Sequence, residues 1–315
     1  MIQNRRKFIS TVAVSSIGLP LVSGIQSFIP VRKNFKINLF SKPLDRYDTD
    51  FICECLVNSG IEGIDVTVRK DGKIAPENVD SALPMLIEIA RRHNLIVEMI
   101  VTGLLSAEDP LIEKILKTAS SNGVKYYRLG WFEYEEKSGI FETLQKYRSV
   151  LADIIKLNRK YNIHGAYQNH SGTYIGGPVW DLNELLRDLP PEFIGSQYDV
   201  RHAMVEGNDT WPIGMRLIAQ HIRTLAIKDF TWVTTNGKPH PETVPLGEGM
   251  IDWDIFFKMV KKLNITAPIT LHVEYPLFAE GEEKLSLVRQ QDIIIKKLKK
   301  DTDFIKSYLN KYQLI

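Results

Sequence analysis

From residue 35 onward, short runs of strand-forming residues alternate with longer amphipathic runs, eight times over and without a break in composition. Strands read at residues 35–40, 63–69, 95–101, 125–130, 163–170, 194–202, 223–230 and 269–275. Helices read at 49–59, 77–93, 110–121, 141–161, 180–189, 211–221 and 252–263, with further helices completing the chain. Asp252 is placed as an N-cap, and Pro212 falls in a first helical turn, where a missing N–H costs little. A helix between two strands of one sheet implies a right-handed parallel crossover. Eight such units in one stretch predict an α/β architecture, a single (β/α)8 TIM barrel over residues 31–315. The segment carrying Gly237, Pro239, Pro241, Pro245, Gly247 and Gly249 reads as a long loop after the seventh strand.

Four strands end in polar or charged residues: Gln168-Asn169-His170, Asp199-Val200-Arg201-His202, Lys228-Asp229 and His272-Val273-Glu274. In parallel α/β folds that edge is where active sites are built. Side chains alternate along a strand, so one parity faces the lumen and the other the helices. Asp65, Thr67 and Arg69 share a parity, as do Glu98 and Thr102. Gln168 pairs in this way with His170, Asp199 with Arg201, Ala226 with Lys228, and His272 with Glu274. The polar parity is read as the lumen. Burying that many charges is costly unless they are paired or bound to something, so the set points to a pocket for a polar ligand or a metal. For any one of these residues, a structural ion pair inside the barrel is a fair alternative.

The N-terminus stands apart. Asn4-Arg5-Arg6-Lys7 precedes an apolar run from Ser10 to Ile29 dotted with serines and glycines. A charged head on a short apolar body describes an export signal over residues 1–30. The paired arginines suggest the twin-arginine route and a periplasmic destination. Gly18, Pro20 and Gly24 weaken the alternative of a membrane anchor, so no membrane association is expected once the signal is removed. A net charge of +2 gives no basic surface for nucleic acid. The lysines at 296, 297, 299 and 300 read as a solvated helix face. Cys53 and Cys55 are too close along a helix to form a disulfide, so stability must come from the core.

The barrel pattern, with Asp199-x-x-His202, Lys228-Asp229, Gly247-Glu248-Gly249 and Glu274 in order, resembles the xylose isomerase-like barrels of the sugar-phosphate isomerase/epimerase group. The resemblance covers residues 35–298. It implies a divalent cation held by a Glu ending strand five, an Asp ending strand six, a His in strand seven and a Glu in strand eight. Here those positions are Gln168, Asp199, Ala226 and Glu274. Two of the four ligands are therefore altered. Asp199 and Glu274, with the carbonyl oxygen of Gln168, would hold Mn, Mg or Ca only weakly. His170, His202 or His272 could supply a nitrogen, or could simply donate and accept hydrogen bonds.

The resemblance also implies a small carbohydrate substrate and proton transfer through an enolate. Gln168 cannot serve as a base. Glu274, Lys228 and His170 remain as candidate catalytic groups. Arg69, Glu98, Arg128, Asn169, Arg201 and His202 are candidates for gripping substrate oxygens. The leading expectation is an isomerase or epimerase acting on a sugar or keto-sugar. The alternatives are a keto-glycoside lyase or hydratase using the same enolate, and a non-catalytic sugar-binding barrel.

Overall fold

The computed structural model describes residues 35–315, so the segment read as an export signal lies outside the described residues. Eight strands close a parallel barrel: β1 (Ile37–Phe40), β2 (Gly63–Val68), β3 (Ile96–Thr102), β4 (Tyr126–Arg128), β5 (His164–Gln168), β6 (Ile194–Asp199), β7 (Ile222–Ile227) and β10 (Ile269–Leu271). Around the barrel they stand in the order β1-β10-β7-β6-β5-β4-β3-β2. Helices follow the strands, as the alternation of apolar and amphipathic runs requires. Residues of both parities are buried in β1, β2, β5 and β6, because one face meets the lumen and the other the helix layer. Cys53 and Cys55 are buried and free. Among the described residues no helix is long and apolar enough to cross a membrane.

Local chemistry sets the helix ends. Asp48 caps Thr49–Asn58 by accepting from Phe51 N–H, and Asp252 caps Trp253–Lys262 by accepting from Ile255 N–H. The chain finishes in one long helix, Leu287–Lys311, rather than several. It packs against Thr49–Asn58 and so closes the helix layer over the first and last strands.

Two departures from the sequence reading matter for the site. Strand six stops at Asp199, and the helix Val200–Gly207 begins at once, with Asp199 as its N-cap. Arg201 therefore does not continue the lumen parity of Asp199. The expected long loop is instead a hairpin of β8 (Asp229–Thr235) and β9 (Lys238–Val244), apart from the barrel sheet. Its turn is Asn236-Gly237, with φ of 53° and 75°. That is the positive-φ pair demanded by a two-residue hairpin loop of the mirror-image kind. Pro239 and Pro241 lie in β9, where a two-stranded ribbon tolerates residues that cannot donate.

Asp229 fastens the following loop to the barrel. Its carboxylate accepts from the N–H groups of Gly247 (3.0 Å), Gly249 (3.2 Å) and Ile251 (3.3 Å), and from Trp253 Nε1 (2.9 Å). A Cβ on Gly249 would fall 2.1 Å from Asp229 Oδ1, so only glycine lets the backbone wrap this carboxylate. Lys228-Asp229 and Gly247-Glu248-Gly249 are thus two halves of one device, which holds the end of β7 in place.

Candidate active site at the C-terminal mouth

The lumen is polar at both levels. Near its floor, Thr270 donates to Asp65 Oδ2 at 3.0 Å. These residues sit on β10 and β2, the two strands flanking β1, so they meet inside the barrel. Burial raises the Asp65 carboxyl to about 7, with the Thr270 hydrogen bond working against it.

Above this floor, five neighbouring strands each contribute one side chain to a continuous arc. Arg128, ending β4, donates from Nη1 to Gln168 Oε1 at 2.6 Å. Gln168, ending β5, donates from Nε2 to Asp199 Oδ2 at 2.8 Å. Lys228, just past β7, places Nζ 3.4 Å from the same Oδ2. That ammonium also donates to Glu274 Oε2 at 2.9 Å, beyond β10. The charges run plus, neutral, minus, plus, minus around the arc. Asp199 is wholly buried and Lys228 nearly so, while the Glu274 side chain is 37% exposed and opens the arc to the mouth.

Each member is held by further contacts. Asn169 Oδ1 accepts from Asp199 N–H at 2.8 Å, and its Nδ2 donates to Asp199 C=O at 2.8 Å. Asn169 is fully buried and its amide is spent on that backbone, so it positions Asp199 rather than reaching a substrate as the sequence suggested. Asp199 Oδ1 accepts from His202 N–H at 3.1 Å, which leaves Oδ2 as the oxygen turned to the arc. Burial would raise the Glu274 carboxyl, but the Lys228 charge and the His272 hydrogen bond outweigh it and hold the group well below the usual carboxylate range. Burial, reinforced by Arg69, lowers Arg128 to about 10, which leaves it charged at neutral pH.

Three histidines line this region, and burial lowers all three below the ordinary imidazole range. For His202 the effect is large, with the Lys228 charge adding to it. Ser171 N–H (3.1 Å) and Arg201 Nη1 (3.0 Å) both donate to His202 Nδ1, so Nε2 carries the proton of the neutral ring. That Nε2–H has no hydrogen-bond partner and lies 3.6 Å from Asp199 Oδ2. His170 is the reverse case. Its Nδ1 faces the carbonyl of Ser171 at 2.9 Å, so Nδ1 donates and Nε2 keeps a lone pair. His272 Nδ1 is 3.4 Å from Glu274 Oε1, and its ring stacks on Phe40 with centroids 4.5 Å apart.

The other expected residues divide. Arg69 and Arg128 converge on Phe40, with guanidinium carbons 5.7 and 5.9 Å from its ring centroid, so both stand at the mouth. Arg201 is buried and bridges Ser171 Oγ and Pro241 C=O, tying the hairpin to the end of β6. Glu98 is a correction. It lies near the start of β3, paired with Lys125 at 3.6 Å, at the far end of the strand from Thr102. Parity alone could not tell one end of a strand from the other. Phe40, Trp131 and Ser171 were missed. Trp131 lies under Arg128 (4.4 Å) and beside His170 (ring centroids 4.5 Å apart). It follows strand four directly, which was its available signal. A cavity of about 390 Å³ opens beside the arc, lined by Phe40, Arg46, Glu274, Tyr275 and Phe278 among others.

The residues present do not fit the divalent cation that the resemblance implies. Gln168 turns its nitrogen to Asp199, and its carbonyl oxygen, the atom able to coordinate, is taken by Arg128. Ala226 offers no donor. The neutral ring of His202 holds a proton on the nitrogen nearest Asp199. Among the described residues, no group of three or more His, Cys, Asp or Glu is placed to hold a metal. The expectation that Gln168 coordinates a cation is corrected accordingly: between a guanidinium that only donates and a carboxylate that only accepts, its amide has one orientation.

Residues 56–291 match the model of the xylose isomerase-like TIM barrel family, and the chain belongs to that family. Among solved structures it is similar to a D-tagatose 3-epimerase-like protein, with 17% identity over 88% of this chain and 98% of the other, and a TM-score of 0.64. It is similar also to D-psicose 3-epimerase from Clostridium cellulolyticum H10, with 12% identity over 87% and 99% and a TM-score of 0.65. A third is 3-keto-D-glucoside 4-epimerase from E. coli, with 12% identity over 84% and 99% and a TM-score of 0.60. At these identities the likeness establishes the fold alone. No curated protein matches the sequence significantly.

Proposed function

We propose that the protein is a sugar isomerase or epimerase that acts on a ketose or keto-sugar through an enolate. The observation that carries this reading is the pairing, at one barrel mouth, of a buried ammonium with a neutral imidazole whose Nε2 lone pair is free. These are Lys228 and His170. A base of that kind can take a proton from the carbon next to a carbonyl. The electron pair of the broken C–H bond moves onto the carbonyl oxygen, where the Lys228 ammonium and the unpartnered His202 Nε2–H supply charge and a hydrogen bond. Delivery of the proton to the former carbonyl carbon, as the neighbouring hydroxyl gives up its own proton and becomes the new carbonyl, gives an isomer. Protonation of the original carbon from the opposite face by water, with the first proton left on His170, gives an epimer. Glu274 keeps Lys228 in place and stands on the wall across from His170, with β6 and β7 between their strands. Arg128 and Arg69 at the mouth suit sugar hydroxyl groups. The epimerases among the similar folds support the substrate class.

A second reading has its own support. Gln168 carries no charge, so the two walls of the site are chemically unlike. Removing a proton on one side and protonating a leaving group on the other is an elimination. A probable 3-DHS dehydratase from Bacillus anthracis shares the fold, with 17% identity and a TM-score of 0.62. Incubation with free ketohexoses and with 3-keto-glycosides, followed by NMR of the products, separates the readings. An epimer or isomer supports the first, and an unsaturated keto-sugar the second. Saturable binding with no product in either series would leave only a sugar-binding barrel and overturn the proposal.

A further inference from the structure

We propose that the Lys228 ammonium is the built-in cation of this site, occupying the point between Asp199 and Glu274 where a divalent ion would sit, so that carbonyl polarisation needs no metal. The inference deepens the enolate reading and rests on it for its chemical meaning, while its structural content stands alone.

Three observations converge. The first is position. Nζ is 3.4 Å from Asp199 Oδ2 and 2.9 Å from Glu274 Oε2, close enough to both carboxylates that an added ion would have to displace it. The second is charge. Lys228 and Arg128 already balance the two carboxylates of the arc, so a divalent ion would enter a neutral cluster and meet a buried ammonium at close range. The third is the Gln168 amide. Its Nε2 donates to Asp199 Oδ2 at 2.8 Å, a bond that a carboxylate at this position could not make. A Glu there would set two negative charges side by side and would need a cation between them. The amide at Gln168 and the missing donor at Ala226 both take ligand capacity out of the site, while Lys228, which keeps the strand-end pattern, is left as the fixed charge between the two carboxylates. In the proposed reaction the ammonium accepts no electrons and breaks no bond. It stays protonated and faces the oxygen on which negative charge develops.

The test is a titration with MnCl2 in the absence of sugar, read by calorimetry and by the melting temperature, on the wild-type protein and on Lys228→Ala. The wild type should show neither heat nor stabilisation up to millimolar metal, and its melting temperature should ignore EDTA. Lys228→Ala should melt lower and then gain stability from Mn, binding at least about tenfold more tightly than wild type. If Lys228→Ala does not accumulate folded, Lys228→Gln, which keeps the stem, gives the same comparison. Micromolar Mn binding by the wild type would overturn the inference, as would a folded Lys228 variant with no gain in Mn affinity. Because no sugar enters the experiment, its outcome is separate from that of the enolate reading. Turnover abolished by EDTA would sink the built-in cation and leave the sugar chemistry standing. Absence of turnover on every keto-sugar would do the opposite.

Discussion

Replacing Lys228 by Met keeps the length of the side chain and removes its charge. Breaking a buried ion pair by deleting one partner costs about 3–5 kcal/mol, because the other charge is left uncompensated. The two carboxylates here will not suffer equally. Glu274 is 37% exposed at its side chain and can be rehydrated, so little of the loss arises there. Asp199 is fully buried and cannot be rehydrated, but it keeps the hydrogen bonds from Gln168 Nε2 (2.8 Å) and His202 N–H (3.1 Å). The lower end of the range, about 3 kcal/mol, is therefore expected. Neutralising the stranded charge should recover part of it. Asp199→Asn keeps one oxygen, which can cap the helix Val200–Gly207 or accept from Gln168 Nε2 but not both, so Lys228→Met with Asp199→Asn should be about 1 kcal/mol more stable than Lys228→Met alone. Urea denaturation of the wild type, both single variants and the double variant completes the cycle. Additive costs, or a Lys228→Met cost under about 1 kcal/mol, would mean that the ammonium and Asp199 are not energetically coupled and that the arc is only a list of neighbours.

Three further outcomes follow from the same geometry. Asp65, raised to about 7 by burial, is protonated in the folded protein where the unfolded chain is ionised. Its effect is a loss of stability as pH climbs from about 4 to about 7 and none beyond, so the advantage of Asp65→Asn over wild type should grow across that window to at most about 4 kcal/mol; an advantage independent of pH would refute the shift. Asp229→Ala should cost about 3 kcal/mol in thermal or urea unfolding, because three loop N–H groups and the Trp253 indole lose their acceptor; a cost below about 1 kcal/mol would show that the loop stands without it. We also propose periplasmic export by the twin-arginine route, and Arg5→Lys with Arg6→Lys should then leave the folded protein in the cytoplasm on cell fractionation, whereas unchanged delivery would point to another route.

The barrel was legible because its strands and helices differ in period and length, a property each segment carries by itself. The mouth residues Gln168, Asp199, Lys228 and Glu274 were legible for a related reason: each ends a strand, and strand ends share one edge. What the sequence hid was geometry between segments. Arg201 was placed on the lumen parity of Asp199, yet Asp199 caps a helix and the alternation ends there. Glu98 has the right parity but sits at the wrong end of its strand. The hairpin could have been read from Asn236-Gly237 between two extended runs, but the three prolines after it suggested a loop, and edge strands accept proline. The orientation of the Gln168 amide was not readable at all. It depends on Arg128 and Asp199 arriving from separate strands to fix which end donates.

The central claim is that this mouth moves a proton beside a carbonyl, with His170 taking it and Lys228 supporting the charge that develops. Incubation of the protein in D2O with ketohexoses and 3-keto-glycosides, followed by NMR or mass spectrometry, reads that step even where no net product accumulates. The account predicts that the wild type places deuterium on the carbon next to the carbonyl of at least one of these sugars. His170→Gln and Lys228→Met should each slow that exchange by about 10² to 10⁴-fold, the usual worth of one such group. Exchange that survives both substitutions undiminished, or no exchange by the wild type on any keto-sugar, would contradict it.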